Sequence, residues 1–476
     1  MKVRKEDTPS DWGCLVGICF FILGLGTLLP WNFFMTASLY FQARLNTSNV
    51  TTNGSDVSDY SKYFNRCMTL LSQLPLLLFT LLNSILYQRI SEVIRIAGSL
   101  IFILLLFVFT AVLVKVDMDT EPFFSVTMAT IWFINSFGAV LQGSLFGLVG
   151  MLPQKYSAIF MSGQGLAGTF AAMAMLLANA SDAESKSAAL GYFITPCVGT
   201  LVTLCCYLLL PRLEFARYYL KSSTKYKAGA TDELLTAESS AADNGKLGSH
   251  ANGSVAGGPN KDGASGDGEA GGSRPHRSKE AFLSLEQVEK KQGKASIIQV
   301  FKKIWVMAFS VTFVFTVTLS VFPAITVDVK TSSPDFRTVL PGNWERYFIN
   351  VCCFLTFNIN DWLGRTVTTL IHWPRKESRL FPLLVVSRVA FVPLLMLCNV
   401  QDRSHLPVYF ASDIVFTVIM ALFSVSSGYF ACLSMSYAPQ LVEAKDAETA
   451  GTLMTFFLAL GLSIGAALSF PLRKLV

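Results

Sequence analysis

Long apolar segments separated by short polar ones dominate the pattern of residues along the chain. Each apolar segment is about 20 residues or longer, which is the length that a helix needs to cross a bilayer. The pattern therefore predicts an all-α polytopic membrane protein with eleven transmembrane helices. The predicted spans cover approximately residues 13–38, 64–87, 94–115, 122–151, 156–179, 187–211, 304–327, 347–371, 380–400, 408–437 and 448–472.

A polar segment divides these spans into six and five. From about residue 222 to residue 280 the chain consists mainly of Gly, Ser, Ala, Asp and Lys, a composition that buries too little apolar surface to become ordered. Prolines interrupt spans one and seven at Pro30 and Pro323, and paired interruptions of this kind point to a binding site between two halves. The sequence therefore predicts an N-terminal six-helix bundle over 1–212, a disordered cytoplasmic linker over 213–296 and a C-terminal five-helix bundle over 297–476.

Basic residues predict which side of the membrane the linker occupies. They flank it from Arg212 to Lys227 and from Lys290 to Lys303, and positive loops remain in the cytoplasm. The N-terminus is then cytoplasmic and the C-terminus extracellular. The loop over 42–62 falls outside the cell, where N-glycosylation takes place. Its three sequons begin at Asn46, Asn49 and Asn53.

Composition narrows the function classes. The chain is 52% hydrophobic and 15% charged, values that do not fit a soluble enzyme. Most of the basic residues that give the net charge of +6 lie beside the spans, where they indicate the orientation of the chain in the membrane. The ten cysteines form no C-x-x-C pair and the four histidines are scattered, so neither a zinc site nor any other cofactor is predicted. A membrane-embedded enzyme is not favoured, because it would need a nucleophile with a base, or a metal cluster, inside the spans. A receptor is not favoured either, because eleven spans do not suit that class of protein.

An acid and a base occupy the middle of predicted span eight. Asp361 and Arg365 each cost about 2.5–3.5 kcal/mol at the centre of a membrane helix on insertion scales. Their i,i+4 spacing places them on one helix face, together with Phe354 and Asn358. A polar face on a water-filled cavity explains this pattern, and so does a structural ion pair between helices.

Further polar and aromatic groups lie inside other spans. Gln142 shares a stripe of span four with Asn135 and Gly138, and its amide can either bind a planar heteroaromatic ring or join two helices. Trp31 and Met35 follow Pro30, where they can form the wall of a site for a flat ligand or anchor the helix at the membrane interface.

Three more features have alternative interpretations. Arg388 in span nine can pair with a carboxylate or with helix-end carbonyls. Arg95 and Glu448 lie at the predicted cytoplasmic ends of spans three and eleven, where a salt bridge would close a cavity from inside. The run from Gly163 to Gly168 matches G-x-G-x-x-G but lies in an apolar span, which favours helix packing over dinucleotide binding.

Two long motifs resemble signatures of the equilibrative nucleoside transporters. The residues from Gly24 to Phe34 are similar to the first-span signature of that family, and those from Phe357 to Arg365 to the eighth-span signature. Gln142-Gly143-Ser144 and the run from Glu448 to Gly451 match as well. The resemblance covers nearly the whole chain and is strongest to the vertebrate plasma-membrane types two and one.

The resemblance implies a major-facilitator-like 6+5 arrangement without enzymatic activity. It implies facilitative, bidirectional and sodium-independent transport of purine and pyrimidine nucleosides, such as adenosine and uridine, by alternating access. Nucleobases are a further expected substrate class, and the oligomeric state is open. A proton-coupled carrier with Asp361 as the titrating group is the alternative.

The resemblance also implies roles for individual residues. Asp361 and Arg365 would contact the ribose and Gln142 the base, while Gly138 would belong to an inhibitor pocket that differs between subtypes. The gating residues would be Asn358, Arg95 and Glu448. The remaining residues expected to line the substrate cavity are Trp31, Met35, Leu76, Leu462, Phe322 and Phe354.

Overall fold

A computed structural model describes residues 9–47, 60–116, 118–180, 185–220, 274–332, 344–401, 403 and 405–476. Two of the predicted glycosylation sites, Asn49 and Asn53, and residues 221–273 of the predicted linker lie outside these ranges. The backbone of Asn46 belongs to a short helix that follows the first span.

The described chain is helical, and its only β-type pairings are two isolated bridges. The first bundle contains α1 (Leu15–Thr36), α2 (Ser38–Thr47), α3 (Tyr60–Leu86), α4 (Ser99–Lys115), α5 (Thr120–Gly150), α6 (Gln154–Ala180) and α7 (Ser185–Leu209). The second contains α8 (Arg274–Val321), α9 (Trp344–Phe348), α10 (Thr356–Val367), α11 (Leu380–Ser387), α12 (Phe391–Met396), α13 (Asp413–Tyr437) and α14 (Ala447–Leu475).

Nine helices in the described ranges are long and apolar enough to cross a membrane. A shorter apolar helix over Leu380–Met396 corresponds to predicted span nine. Predicted span eight is a composite, in which the π-helical stretch Ile349–Leu355 joins α9 to α10. These segments together account for the eleven predicted spans, so the predicted all-α architecture is confirmed.

Glycines allow several helix pairs to approach closely. A Cβ atom added at Gly24 of α1 would lie 2.0 Å from the carbonyl oxygen of Phe160, and one at Gly163 of α6 would lie 2.0 Å from that of Phe21. Helix backbones can make such contacts only where side chains are absent. The glycine run in α6 therefore packs against α1, in agreement with its interpretation as a helix-packing surface.

Arg388 joins three segments of the second bundle. It lies in the 3₁₀ turn between α11 and α12 and is only 2% exposed. Its guanidinium donates to the carbonyl of Val314 in α8 at 2.9 Å and to the carbonyl of Phe423 in α13 at 3.3 Å. It also donates to the hydroxyls of Ser426 and Thr318. Its carbonyl partners lie inside two helices and not at the helix ends that one alternative predicted, and no carboxylate among the described residues lies within salt-bridge distance.

Candidate functional site

A cavity of about 280 Å³ lies between the two helical bundles. This volume is close to the lower end of the roughly 300–1,000 Å³ range of small-molecule sites. Polar and apolar residues from both bundles form its wall. They are Thr27, Leu28, Pro30, Trp31, Asn32, Ser72, Gln73, Leu76, Ile103, Ile134, Asn135, Gly138, Gln142, Gln164, Phe315, Leu319, Arg365, Leu458 and Leu462.

Arg365 brings a positive charge to the wall of this cavity, and Asp361 holds the guanidinium from behind. The Arg365 Nε donates to Asp361 Oδ2 at 2.7 Å. Asp361 is 8% exposed and Arg365 7% exposed, and only Arg365 lines the cavity. The two Nη groups form no hydrogen bond within the ranges that the structure covers. They therefore remain available as donors to a ligand.

The backbone of α10 is held between two neighbouring helices. A Cβ added at Gly428 of α13 would lie 2.0 Å from the carbonyl oxygen of Asp361. On the other side, a Cβ at Gly165 of α6 would lie 2.9 Å from the Cα of Trp362 and 3.0 Å from the Cδ of Arg365. Both bundles thus contact the segment that carries the charged pair.

Gln142 lies on a stripe of α5 that faces the same cavity. Asn135 and Gly138 line the cavity with it, as their common stripe predicts. The Asn135 amide donates to the Ile131 carbonyl of its own helix at 2.8 Å. No atom lies within 4 Å of a Cβ added at Gly138, so the cavity has room for a larger group there. The alternative role of Gln142 is a hydrogen bond to another helix, and its side chain forms no such bond with the described residues.

The residues expected to line the cavity divide into two groups. Trp31, Leu76 and Leu462 belong to its wall. The other three residues, Met35, Phe322 and Phe354, do not. Phe322 instead stacks on the ring of Phe357 at 3.8 Å, with Phe354 edge-on at 5.9 Å.

A buried ion pair joins the two bundles at the predicted cytoplasmic end. Arg95 Nη2 and Glu448 Oε1 are 3.4 Å apart, as expected from the predicted topology. Arg95 also donates to Ser144 Oγ at 3.0 Å and to the Ile90 carbonyl at 3.1 Å. The α3 helix joins this contact through a hydrogen bond from Ser84 Oγ to the Thr452 carbonyl of α14, at 3.2 Å.

Asn358 occupies a second contact between the bundles, on the other side of the charged pair. Its Nδ2 donates to the Phe354 carbonyl at 2.8 Å. The Asn358 Oδ1 would be 2.1 Å from a Cβ added at Gly168 of α6. Thr169 Oγ1, also in α6, donates to the backbone carbonyl of Asn358 at 3.1 Å. A side chain at position 168 would force the Asn358 amide to move.

Most residues of the cavity wall were not among the predicted site residues, and two of these, Gln73 and Gln164, carry side-chain amides. Gln164 lies within the glycine run of α6, which the sequence indicates as a packing surface. Gln73 lies two residues before Pro75 in α3. The signal that could have identified both is an amide inside an apolar span. Polar groups in such positions commonly face a cavity.

The two bundles with a polar cavity between them are arranged as in the major-facilitator fold. The structure of the major-facilitator proton:xylose symporter XylE matches 98% of this chain and 90% of its own, with a TM-score of 0.52 and 12% sequence identity. At that identity the likeness concerns the fold alone. It confirms the predicted major-facilitator-like arrangement.

Sequence comparison identifies the family. Residues 128–474 match the family model described as "Nucleoside transporter". The chain is 52% identical to human equilibrative nucleoside transporter 2 over the whole length of both. It is 47% identical to human equilibrative nucleoside transporter 1 over 98% of the chain and 99% of that relative. The protein belongs to the nucleoside transporter family, as the resemblance of its motifs predicted, and is a multi-pass membrane protein.

We expect Gly428→Ala to destabilise the protein because the added methyl group meets the backbone of Asp361. Overpacking of this kind costs about 1–3 kcal/mol, so the Tm of the purified protein in detergent should fall. Gly191→Ala is a matched control, since no atom lies within 4 Å of a Cβ at Gly191. Equal Tm values for the two variants would contradict the close contact between α10 and α13.

Proposed function

We propose that this protein is a facilitative transporter of purine and pyrimidine nucleosides that works by alternating access at the plasma membrane. The observation that carries the proposal is the cavity between the bundles, to whose wall the first bundle contributes Gln142 and the second Arg365. Membership of the nucleoside transporter family supports it. The N-terminus would be cytoplasmic and the C-terminus extracellular.

The chemistry of the cavity suits a neutral ligand with a sugar and a flat base. Ribose hydroxyls both donate and accept, so they can bond to the free N–H groups of Arg365 while Asp361 balances the charge. The Gln142 amide offers a donor and an acceptor to the edge of a heteroaromatic base. Trp31, Leu76 and Leu462 supply the apolar and aromatic surface that a base requires.

Two contacts between the bundles would act as gates. The Arg95–Glu448 network closes the predicted cytoplasmic side, and the contact of Asn358 with Gly168 closes the opposite side. The predicted bundles over 1–212 and 297–476 would then rock around the ligand. The predicted linker over 213–296 would connect them, and its last part, from Arg274, belongs to helix α8. Each gate opens in turn.

Uptake of labelled uridine into proteoliposomes tests the transport mode. We expect saturable uptake that follows the uridine gradient and is unchanged when sodium is replaced or a proton gradient is collapsed. Labelled hypoxanthine tests nucleobases in the same vesicles. Accumulation of uridine against its gradient, driven by an imposed proton gradient, would instead support the proton-coupled alternative.

The charged pair can be tested without leaving a lone charge inside the bundle. In the double variant Asp361→Asn, Arg365→Gln neither residue is charged, so the protein should fold and reach the cell surface. We expect its uridine uptake to fall at least about tenfold, because hydrogen bonds from a charged donor are worth about 1.5–3 kcal/mol.

The control for this experiment is the exposed pair Glu443 and Lys445, whose side chains are 3.0 Å apart. Changing both to glutamine should leave uptake unchanged. If the Asp361→Asn, Arg365→Gln protein transports uridine like the wild type, the pair serves only to hold helices together.

Loss of the Arg95–Glu448 ion pair should favour opening to the cytoplasm. We expect Glu448→Gln to raise, by about tenfold, the rate at which an impermeant maleimide labels Ser84→Cys in inside-out vesicles. Ser84 is a suitable reporter because it is buried in the contact between α3 and α14. Glu443→Gln, which removes an exposed carboxylate at the same end, is the control. Equal labelling in the two backgrounds would rule out a gating role for the ion pair.

A further inference from the structure

Gln164 carries an unusual feature for a residue in the middle of a membrane helix. It is only 2% exposed, yet it lines the cavity between the bundles. Its Nε2 has no hydrogen-bond partner within the described chain. Buried amide donors are nearly always paired, and one that is not requires an explanation.

The backbone around Gln164 cannot easily move to find a partner. A Cβ at Gly24 of α1 would lie 3.2 Å from the backbone nitrogen of Gln164 and 2.0 Å from the Phe160 carbonyl. The next residue, Gly165, packs closely against Trp362 and Arg365 of α10. Contacts on both sides therefore hold this turn of α6 in place, in the cavity wall to which Arg365 also belongs.

These positions identify what the missing partner must be. It has to enter the cavity, whose wall also contains Arg365, and present a hydrogen-bond acceptor to Nε2. Because Nε2 itself is buried, the side chain has to turn towards that acceptor. A second unpaired group supports the idea that the cavity is built for a polar ligand, because Gln73 Oε1 also lacks a hydrogen-bond partner within the described chain and its side chain lines the same wall. The two glutamines thus carry one unpaired donor and one unpaired acceptor within the wall of the same cavity.

We propose that Gln164 binds the sugar of a nucleoside, with its Nε2 donating to a pentose oxygen next to Arg365. This assignment rests on the proposed function and adds a determinant of specificity to it. A free nucleobase lacks the pentose, so it gains nothing from this amide. Gln164 would therefore favour nucleosides over nucleobases.

The test is Gln164→Met, which keeps the length of the side chain and removes both polar atoms. We expect KM for uridine uptake to rise about five- to tenfold, as for the loss of one hydrogen bond, while KM for uracil stays the same. The Tm of the ligand-free protein should not fall, since the variant no longer buries an unpaired donor. If Gln164 had a purely structural role, the Tm would fall and KM for uridine would stay the same.

Deoxynucleosides show which oxygen accepts. Each of the analogues 2′-, 3′- and 5′-deoxyuridine lacks one of the hydroxyl groups of uridine, so one hydrogen bond to the wild-type protein can be missing in each case. For the analogue without the accepting oxygen, the effect of Gln164→Met on KM should disappear, because the bond is then absent from both proteins. A KM effect of the same size for all three analogues and for uracil would overturn the sugar assignment.

Gln154→Met is a matched control. Gln154 lies in the same helix and its Nε2 also lacks a partner in the described chain, but it does not line the cavity. Gln154→Met should leave KM for uridine unchanged. If the wild type takes up uridine and Gln164→Met has the same KM, the inference fails and the proposed function stands. If the wild type takes up no nucleoside at all, both fail.

Discussion

A polar group inside a membrane helix has to find its partner within the protein, since lipid offers none. Two buried arginines meet this constraint in different ways. Arg388 donates to two carbonyls and two hydroxyls around it, and it holds the second bundle together. Arg365 is secured at Nε by Asp361 and directs the rest of its guanidinium into the cavity. The first arrangement is complete without a ligand, whereas the second leaves donors for one.

The charged pair is placed by backbone contacts rather than by side chains. Because Gly428 and Gly165 have no side chains, α10 can lie directly against α13 and α6. Small residues are the usual means of close helix approach in membranes. This packing leaves little freedom to the backbone of Asp361 and Arg365. A binding site needs that kind of support if its groups are to keep their geometry.

Much of this architecture follows from the sequence. Apolar length alone predicts the spans, and the opposite charges of Arg95 and Glu448 at corresponding span ends predict their pairing. The cavity wall is harder to predict, because the stripe through Phe354, Asn358 and Asp361 assumes 3.6 residues per turn. A π-helical stretch ends at Leu355, which changes the direction of the side chains before that point. Gln164 was missed for another reason: its glycine neighbours suggested packing, and the same turn of α6 provides both packing and an amide.

The contact between α6 and α10 differs in kind from the one at the opposite end of the cavity. At Gly165 and Gly168 the surface of α6 is smooth, and the hydrogen bond that crosses there near Asn358 runs from Thr169 to a carbonyl. The other end is held by the ion pair of Arg95 with Glu448 and by hydrogen bonds of Ser84 and Tyr87 with residues of α14. Separating α6 from α10 breaks hydrogen bonds between uncharged groups, those of Thr169 and Ser162, whereas separating the other end also breaks an ion pair. In the proposed carrier, this asymmetry would favour a resting orientation of the empty protein in which the Arg95 side is closed.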